Sequence, residues 1–264
     1  MMPELPEVET IKNYLKRFVV GKRILNFENL NKKQIKVSEN DVVGKKILDI
    51  ERMGKILIIK LSGNKNLTAH LKMSGQFLYF PRNLEKRDLK YARAIFKLNK
   101  GYLVFNDVRK FGWLRVGNEE IQKLGIEPFS KKFNIKNLEE IFKQTKRPIK
   151  LVLMDQRKIA GIGNIYANEA LFLAKINPQK PANKLTKSEI KRLKNSIIKI
   201  LKRALKYEGT SSRFYLKPDQ TKGHYQEKFL VYQKTSKDCP RCGKKIKKII
   251  LGGRSTFYCP FCQK

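Results

Sequence analysis

The first 238 residues of this 264-residue chain contain no cysteine, which excludes a disulfide framework for nearly all of it. Long apolar runs are missing as well. Clean ones such as Ile56-Leu57-Ile58-Ile59 fall far short of the roughly 20 residues that cross a membrane as a helix. There is no internal repeat and no low-complexity tract, and the acidic start Glu4-Leu5-Pro6-Glu7 lacks the marks of a signal peptide. A cytosolic protein is therefore expected. Acid is scarce: 23 Asp plus Glu stand against 59 Lys plus Arg, giving a formal charge of +36, far beyond what solubility requires. Lysine-rich genome composition contributes to such an excess, but its size points to a polyanionic partner.

The cysteines that do occur are Cys239-x2-Cys242 and Cys259-x2-Cys262, with 16 residues between the pairs. That spacing suits two hairpin-like knuckles bringing four thiolates around one structural Zn2+. Elsewhere the pattern is α+β. Val8, Ile11, Leu15 and Phe18 fall at helical spacing and Gly21 supplies a stop. From Ile24 to Val116, short β-rich runs separated by turns such as Ser62-Gly63-Asn64 and Asn99-Lys100-Gly101 predict a β-sandwich or flattened barrel. Past Gly125-Ile126-Glu127-Pro128 the texture is helical. One helix begins over Lys150–Asp155, a glycine turn spans Gly161–Tyr166, and Ser188–Tyr207 carries Ile190, Leu193, Ile197, Ile198, Leu201 and Leu205 at core spacing. The expected domains are 1–129, 130–235 and 236–264.

Chemistry concentrates in a few places. If Met1 and Met2 are absent from the mature chain, Pro3 carries a free secondary amine with a pKa of about 7.7 to 8.0, able to attack a sugar carbon and form an iminium. Glu4 and Glu7 lie where carboxylates suit a positive helix end, and capping alone would account for them. Lys55 stands at the mouth of an apolar strand. Met73 and Phe111 are of the kind that wedges into a base stack, with Lys and Arg nearby to hold phosphates. Gly161 and Gly163 allow close backbone approach, and amides at a helix start bind phosphate. The polar stretch from Gly209 to Gln226 is either a loop that folds over a ligand or an ordinary connection.

Together Pro3-Glu4-Leu5-Pro6-Glu7, Lys55, His70-x-x-Met73-Ser74-Gly75, Asp107-x-Arg109-x-Phe111-Gly112, Gly161-Ile162-Gly163-Asn164-Ile165-Tyr166 and Arg254–Cys259 resemble the bacterial formamidopyrimidine-DNA glycosylase family nearly end to end. The resemblance implies an N-terminal β-sandwich, a helix-two-turn-helix domain and a zinc-bearing β-hairpin, with damaged duplex DNA in the cleft between the halves. It implies excision of oxidised purines and strand cleavage at the abasic site by one enzyme. Pro3 would be the nucleophile and Glu4 the acid and base. Lys55 would assist the first elimination and Arg254 the second. Met73, Arg109 and Phe111 would fill the gap left by the flipped nucleotide. His70, Lys146, Lys150 and Asn164 would hold phosphates, Tyr91 would be a further DNA contact, and the loop around Thr221 to Tyr225 would cover the flipped base. A monomer, acting on the bacterial nucleoid, is expected.

Three features depart from the family. Histidines often stand at the places of Tyr91 and Arg93, and the covering loop Pro218–Gly223 keeps one glycine. The written chain also begins Met1-Met2, so the expectation is that translation starts at Met2 or that both methionines are otherwise lost. Leu5 favours the purine-directed branch over the endonuclease VIII type, which usually has glycine there. That pyrimidine-directed type and a non-catalytic zinc-ribbon nucleic-acid binder remain the alternatives.

Overall fold

The alternating apolar pattern of the first half forms nine strands in the computed structural model, which describes residues 2–210 and 221–264. Expectations resting on Met1 and on residues 218–220 lie outside the described residues. Contacts divide the chain into two compact units, Met1–Gln122 with Tyr207–Gln226 and Lys123–Lys206 with Glu227–Lys264.

The first unit opens with α1 (Leu5–Val19), followed by β1 (Ile24–Asn29), β2 (Ile35–Lys36), α2 (Glu39–Val42), β3 (Ile47–Met53), β4 (Ile56–Leu61), β5 (Lys65–His70) and β6 (Gly75–Phe80). Then come β7 (Ala92–Leu98), β8 (Tyr102–Asp107), β9 (Trp113–Val116) and α3 (Glu119–Gln122). The strands make a four-stranded sheet, β1-β7-β8-β6, and a five-stranded sheet, β2-β9-β5-β4-β3. One core joins them: Phe27, Phe77, Phe96 and Phe105 of the smaller sheet meet Ile50, Leu57, Ile59, Leu67 and Leu114 of the larger. This is the expected sandwich. The apolar run Ile56–Ile59 is explained by its place in β4, between β3 and β5, where both faces are covered.

Helix α1 packs against β3, β4 and β6 and contributes Val8, Ile11, Leu15 and Val19 to the same core. Phe18, expected on that stripe, is a correction. The 3.6-residue period places Val19 inward, while Phe18 is exposed and stacks on Tyr79 at 5.5 Å between ring centroids.

The second unit holds α4 (Ile135–Lys143), α5 (Ile149–Met154), α6 (Asn164–Ala174), α7 (Lys187–Lys206) and the antiparallel hairpin β10 (Lys247–Leu251) with β11 (Arg254–Tyr258). α6 is buried almost all round. It packs on α5, α7 and β11, which makes it the axis of the unit. On α7 the buried face runs through Ile190, Leu193, Ile197, Ile200, Leu201 and Ala204. Ile198 and Leu205, expected in the core, lie at its half-buried margin.

Leu57 is wholly buried in the middle of β4. Leu57→Ala should therefore cost about 2–5 kcal/mol through lost burial and a residual cavity, a loss readable as a lowered denaturant midpoint with an unchanged slope.

Candidate active site and nucleic-acid interface

Pro3 and Glu4 are buried at the entrance to α1. Glu7, in the first turn, anchors this entrance: its Oε2 accepts the Glu4 N–H at 2.8 Å and its Oε1 accepts the Thr210 N–H at 2.7 Å. The approach requires glycine at 209, where φ is +75° and a Cβ would lie 2.8 Å from Glu7 Oε1. A carboxylate that reads as a helix cap thus fastens the segment around Thr210 to the Pro3-Glu4 turn. Two residues on, Glu9 receives Arg52 Nε at 2.7 Å and also pairs with Lys12. Burial alone would raise the Glu9 pKa, but these two cations hold it below its ordinary value.

Lys55 lies in the tight turn between β3 and β4 and is buried. Its neighbour Ile56 pairs with His70, which brings the Lys55 ammonium into the field of that imidazole. Burial first, then the charges of Lys72 and Lys55, push the His70 pKa down to about 3. His70 Nδ1 accepts the Lys72 N–H at 2.9 Å, which leaves the proton of the neutral ring on Nε2. His70 is therefore a neutral hydrogen-bond donor at physiological pH.

Asp107, at the end of β8, organises the next group while wholly buried. Its Oδ1 accepts the Ser74 hydroxyl at 2.5 Å and the Arg109 N–H at 3.2 Å. Its Oδ2 accepts Gln34 Nε2 at 2.9 Å and the Gly112 N–H at 2.7 Å. The loop carrying Met73 and the loop carrying Arg109 and Phe111 are thereby tied to one carboxylate. Arg109 Nη1 reaches Met73 Sδ at 3.1 Å, and its guanidinium lies 5.0 Å from the centre of the exposed Phe111 ring. The three residues foreseen as a wedge stand together. Arg93, by contrast, turns its Nε to the Asp107 carbonyl at 2.9 Å, while Tyr91 is exposed beside Lys90.

In the second unit Asn164 is the first residue of α6, and its Nδ2 donates to Ser255 O at 3.1 Å. Arg254 is exposed at the head of β11, and Lys146 is exposed ahead of α5. A polar concavity of about 610 Å³ is lined by Asn164, Tyr232, Gln233, Lys248, Arg254 and Ser255. Lys150, expected at a phosphate, is buried with its ammonium on β11, 3.0 Å from Ser255 O and 2.7 Å from Thr256 Oγ1. Two further α6 side chains hold the hairpin and its approach. Asn168 Oδ1 accepts the Phe257 N–H at 2.7 Å, and the Glu169 carboxylate takes the N–H groups of Leu230, Val231 and Tyr232 at 2.8–2.9 Å.

The four cysteine Sγ atoms all lie within 4.8 Å of one another, with Cys239–Cys262 at 3.9 Å and Cys242–Cys259 at 3.6 Å. A tetrahedron with Zn–S of about 2.3 Å has edges of roughly 3.8 Å, so the donor set fits one Zn2+. All four positions would be filled by thiolate, which leaves the ion a structural role.

Residues 2–114 match the formamidopyrimidine-DNA glycosylase N-terminal domain, 124–215 the formamidopyrimidine-DNA glycosylase H2TH domain, and 236–264 a zinc finger found in FPG and IleRS. The chain belongs to the formamidopyrimidine-DNA glycosylase family. Relatives bearing that name include one from Carboxydothermus hydrogenoformans, 42% identical over the whole of both chains, and one from Ligilactobacillus salivarius, 39% identical over 99% of each. Among solved structures, a Lactococcus lactis FPG mutant in complex with Fapy-dG-containing DNA is 36% identical with a TM-score of 0.92, covering 99% of this chain and all of that one. The MutM (FPG) protein of Thermus thermophilus is 35% identical with a TM-score of 0.90, over 99% of this chain and 98% of that one.

Gln34, Asp107, Asn168, Glu169 and Thr210 had not been singled out as holding the site. Asp107 carried one available signal, a lone acid inside a glycine-bounded basic loop. Gln34 and Thr210 act across 73 and 203 residues of sequence and carried none.

Asp107→Asn presents an amide NH2 to donors and leaves some of them unsatisfied. It should cost about 2–4 kcal/mol of stability and weaken binding to a duplex with an abasic-site analogue. Urea unfolding and a binding isotherm check both, and wild-type values in the two would remove Asp107 from this role. Zinc analysis should find one ion per chain, and a strong chelator should abolish DNA binding together with the zinc.

Proposed function

We propose that this glycosylase flips out and removes oxidised purines, 8-oxoguanine and formamidopyrimidines, from duplex DNA, then cleaves the abasic strand by β,δ-elimination through a Schiff base on Pro3. One observation carries the reading: a proline followed by a buried glutamate at the entrance to α1, in a chain that matches relatives held on damaged DNA along its full length.

In the first step the free Pro3 nitrogen attacks C1′ of the damaged nucleoside. The C1′–N bond to the base breaks, and Glu4 hands a proton toward the departing base or the opening sugar ring. Loss of the amine proton and ring opening leave an iminium that acidifies C2′. Removal of a C2′ proton expels the 3′ phosphate, and a second elimination expels the 5′ phosphate. Lys55 serves the first departure and Arg254 the second, by stabilising the charge of the leaving phosphate; a guanidinium acts through its permanent charge more than as a literal acid.

The other groups set geometry. Met73, Arg109 and Phe111 fill the vacated stack, offsetting the few kcal/mol that flipping costs. His70, through Nε2–H, and Asn164, Lys146 and Tyr91 hold the backbone. The division of labour is catalysis by 1–129, DNA binding by 130–235 and the zinc hairpin over 236–264. The stretch from Thr221 to Tyr225, which belongs to the first compact unit, covers the flipped base. The setting is the cytoplasm of a bacterium, on its nucleoid.

Borohydride should trap a covalent adduct with a duplex bearing 8-oxoguanine opposite cytosine, and Pro3→Gly should lose it. An intact mass beginning at Pro3 should accompany activity. Active protein that retains a methionine before Pro3 would overturn the mechanism. Faster excision of thymine glycol than of 8-oxoguanine would favour the pyrimidine-directed alternative, and binding without any adduct would favour the non-catalytic one.

A further inference from the structure

We infer that Lys150 is a positioning residue for Arg254, and through it for the second elimination; the inference rests on the role just proposed for Arg254. An ammonium with no exposure is costly unless its donors are met, and Lys150 is fully buried. Two of its hydrogen bonds go to successive residues of one strand, Ser255 O at 3.0 Å and Thr256 Oγ1 at 2.7 Å. An ammonium can only donate, so the Thr256 hydroxyl receives and must point its own proton elsewhere. That proton goes to the Arg254 carbonyl at 3.2 Å. The relay Lys150 to Thr256 to Arg254 is therefore directional, and it ends on the backbone of the residue whose side chain is proposed to meet the leaving phosphate.

The same helix holds the turn of the hairpin. Gly252 has φ of +54°, and a Cβ there would meet Leu151 Cδ2 at 2.7 Å, so α5 lies directly against the turn that precedes Arg254. Asn164 shares the Ser255 carbonyl at 3.1 Å, and Asn168 fixes Phe257 N–H at 2.7 Å. Residues on both sides of Arg254 are thus immobilised while its side chain remains exposed in the concavity with Asn164 and Lys248. Lys150 aims the charge, and Arg254 delivers it.

The test is single-turnover cleavage of a duplex with an abasic site, with the β-elimination and β,δ-elimination products resolved on a gel. Arg254→Ala should stop at the β product. Lys150→Met, which keeps volume and removes the ammonium, should lower the rate of the second elimination relative to the first by about tenfold or more. Thr256→Val should do the same, while Thr256→Ser, which keeps the hydroxyl, should keep the wild-type ratio. Zinc content of one per chain certifies the hairpin in each variant, and if Lys150→Met fails to hold zinc, the Thr256 pair decides alone. A wild-type product ratio in Lys150→Met or Thr256→Val overturns the inference. So does a loss of duplex affinity in Lys150→Met with the ratio unchanged, which would make Lys150 a direct phosphate contact. If Arg254→Ala itself still yields the β,δ product, the role proposed for Arg254 is what has failed.

Discussion

Asp107 accepts four hydrogen bonds in a site closed to water, from a hydroxyl, a side-chain amide and two backbone amides, and the loops that carry Met73, Arg109 and Phe111 hang from it. The same device recurs. Glu7 gathers the Glu4 and Thr210 amides, and Glu169 gathers three amides of the segment leading to the zinc hairpin. A chain with 23 acids and 59 cations places three of the acids where each ties distant parts of the sequence together. Surface carboxylates would have been screened and nearly neutral in effect. Buried ones with full donor sets make the loops they hold rigid, which is what a wedge into a base stack requires. Burial pushes the Glu169 pKa up even though the three amides pull it down, so its hydrogen bonds offset only part of a desolvation cost that the fold imposes.

The cations divide by burial in a corresponding way. Exposed ones, such as Lys146 and Arg254, face solvent and supply long-range attraction for a polyanion. Lys55 and Lys150 are buried, and each acts on a neighbour. Lys55 helps keep His70 neutral, so that the imidazole offers a hydrogen bond without adding a titrating charge near pH 7. Lys150 orders the strand behind Arg254. Composition alone gives all of these residues the same charge. Their roles differ because desolvation makes a buried ammonium a demanding donor, whereas an exposed cation keeps its hydration and is open to a polyanion.

The fold was legible wherever a single period governed a segment. The sandwich, the α5–α6 turn, α7 and the zinc knuckles all follow from local pattern, and the slip of Phe18 for Val19 is an error of one position on a helix face. Met73, Arg109 and Phe111 could be grouped because side-chain chemistry hinted at one task. What sequence did not disclose were partners set by tertiary approach: Gln34 to Asp107, Thr210 to Glu7, and Asn168 to Phe257. None of these pairs shares a strand register or a helical turn, so no spacing rule connects them. Lys150 shows the converse limit, since a family resemblance can mark a residue without saying whether it touches the substrate.

The proposed nucleophile carries a constraint of its own. While Met2 precedes it, Pro3 nitrogen belongs to a tertiary amide, and its lone pair is delocalised into the carbonyl. Freed, the amine attacks only in its neutral form. A proton must therefore leave before attack. Glu7 accepts two backbone amides. Glu4 is the carboxylate the mechanism assigns to proton transfer, and the proton it takes from the amine is the one it can return to the departing base or the opening sugar ring. The two glutamates, one helical turn apart and similarly buried, cap the helix start reciprocally. Glu7 spans from the helix start to Thr210, and the proposed mechanism gives the proton transfer to Glu4, which is bonded in sequence to the proposed nucleophile.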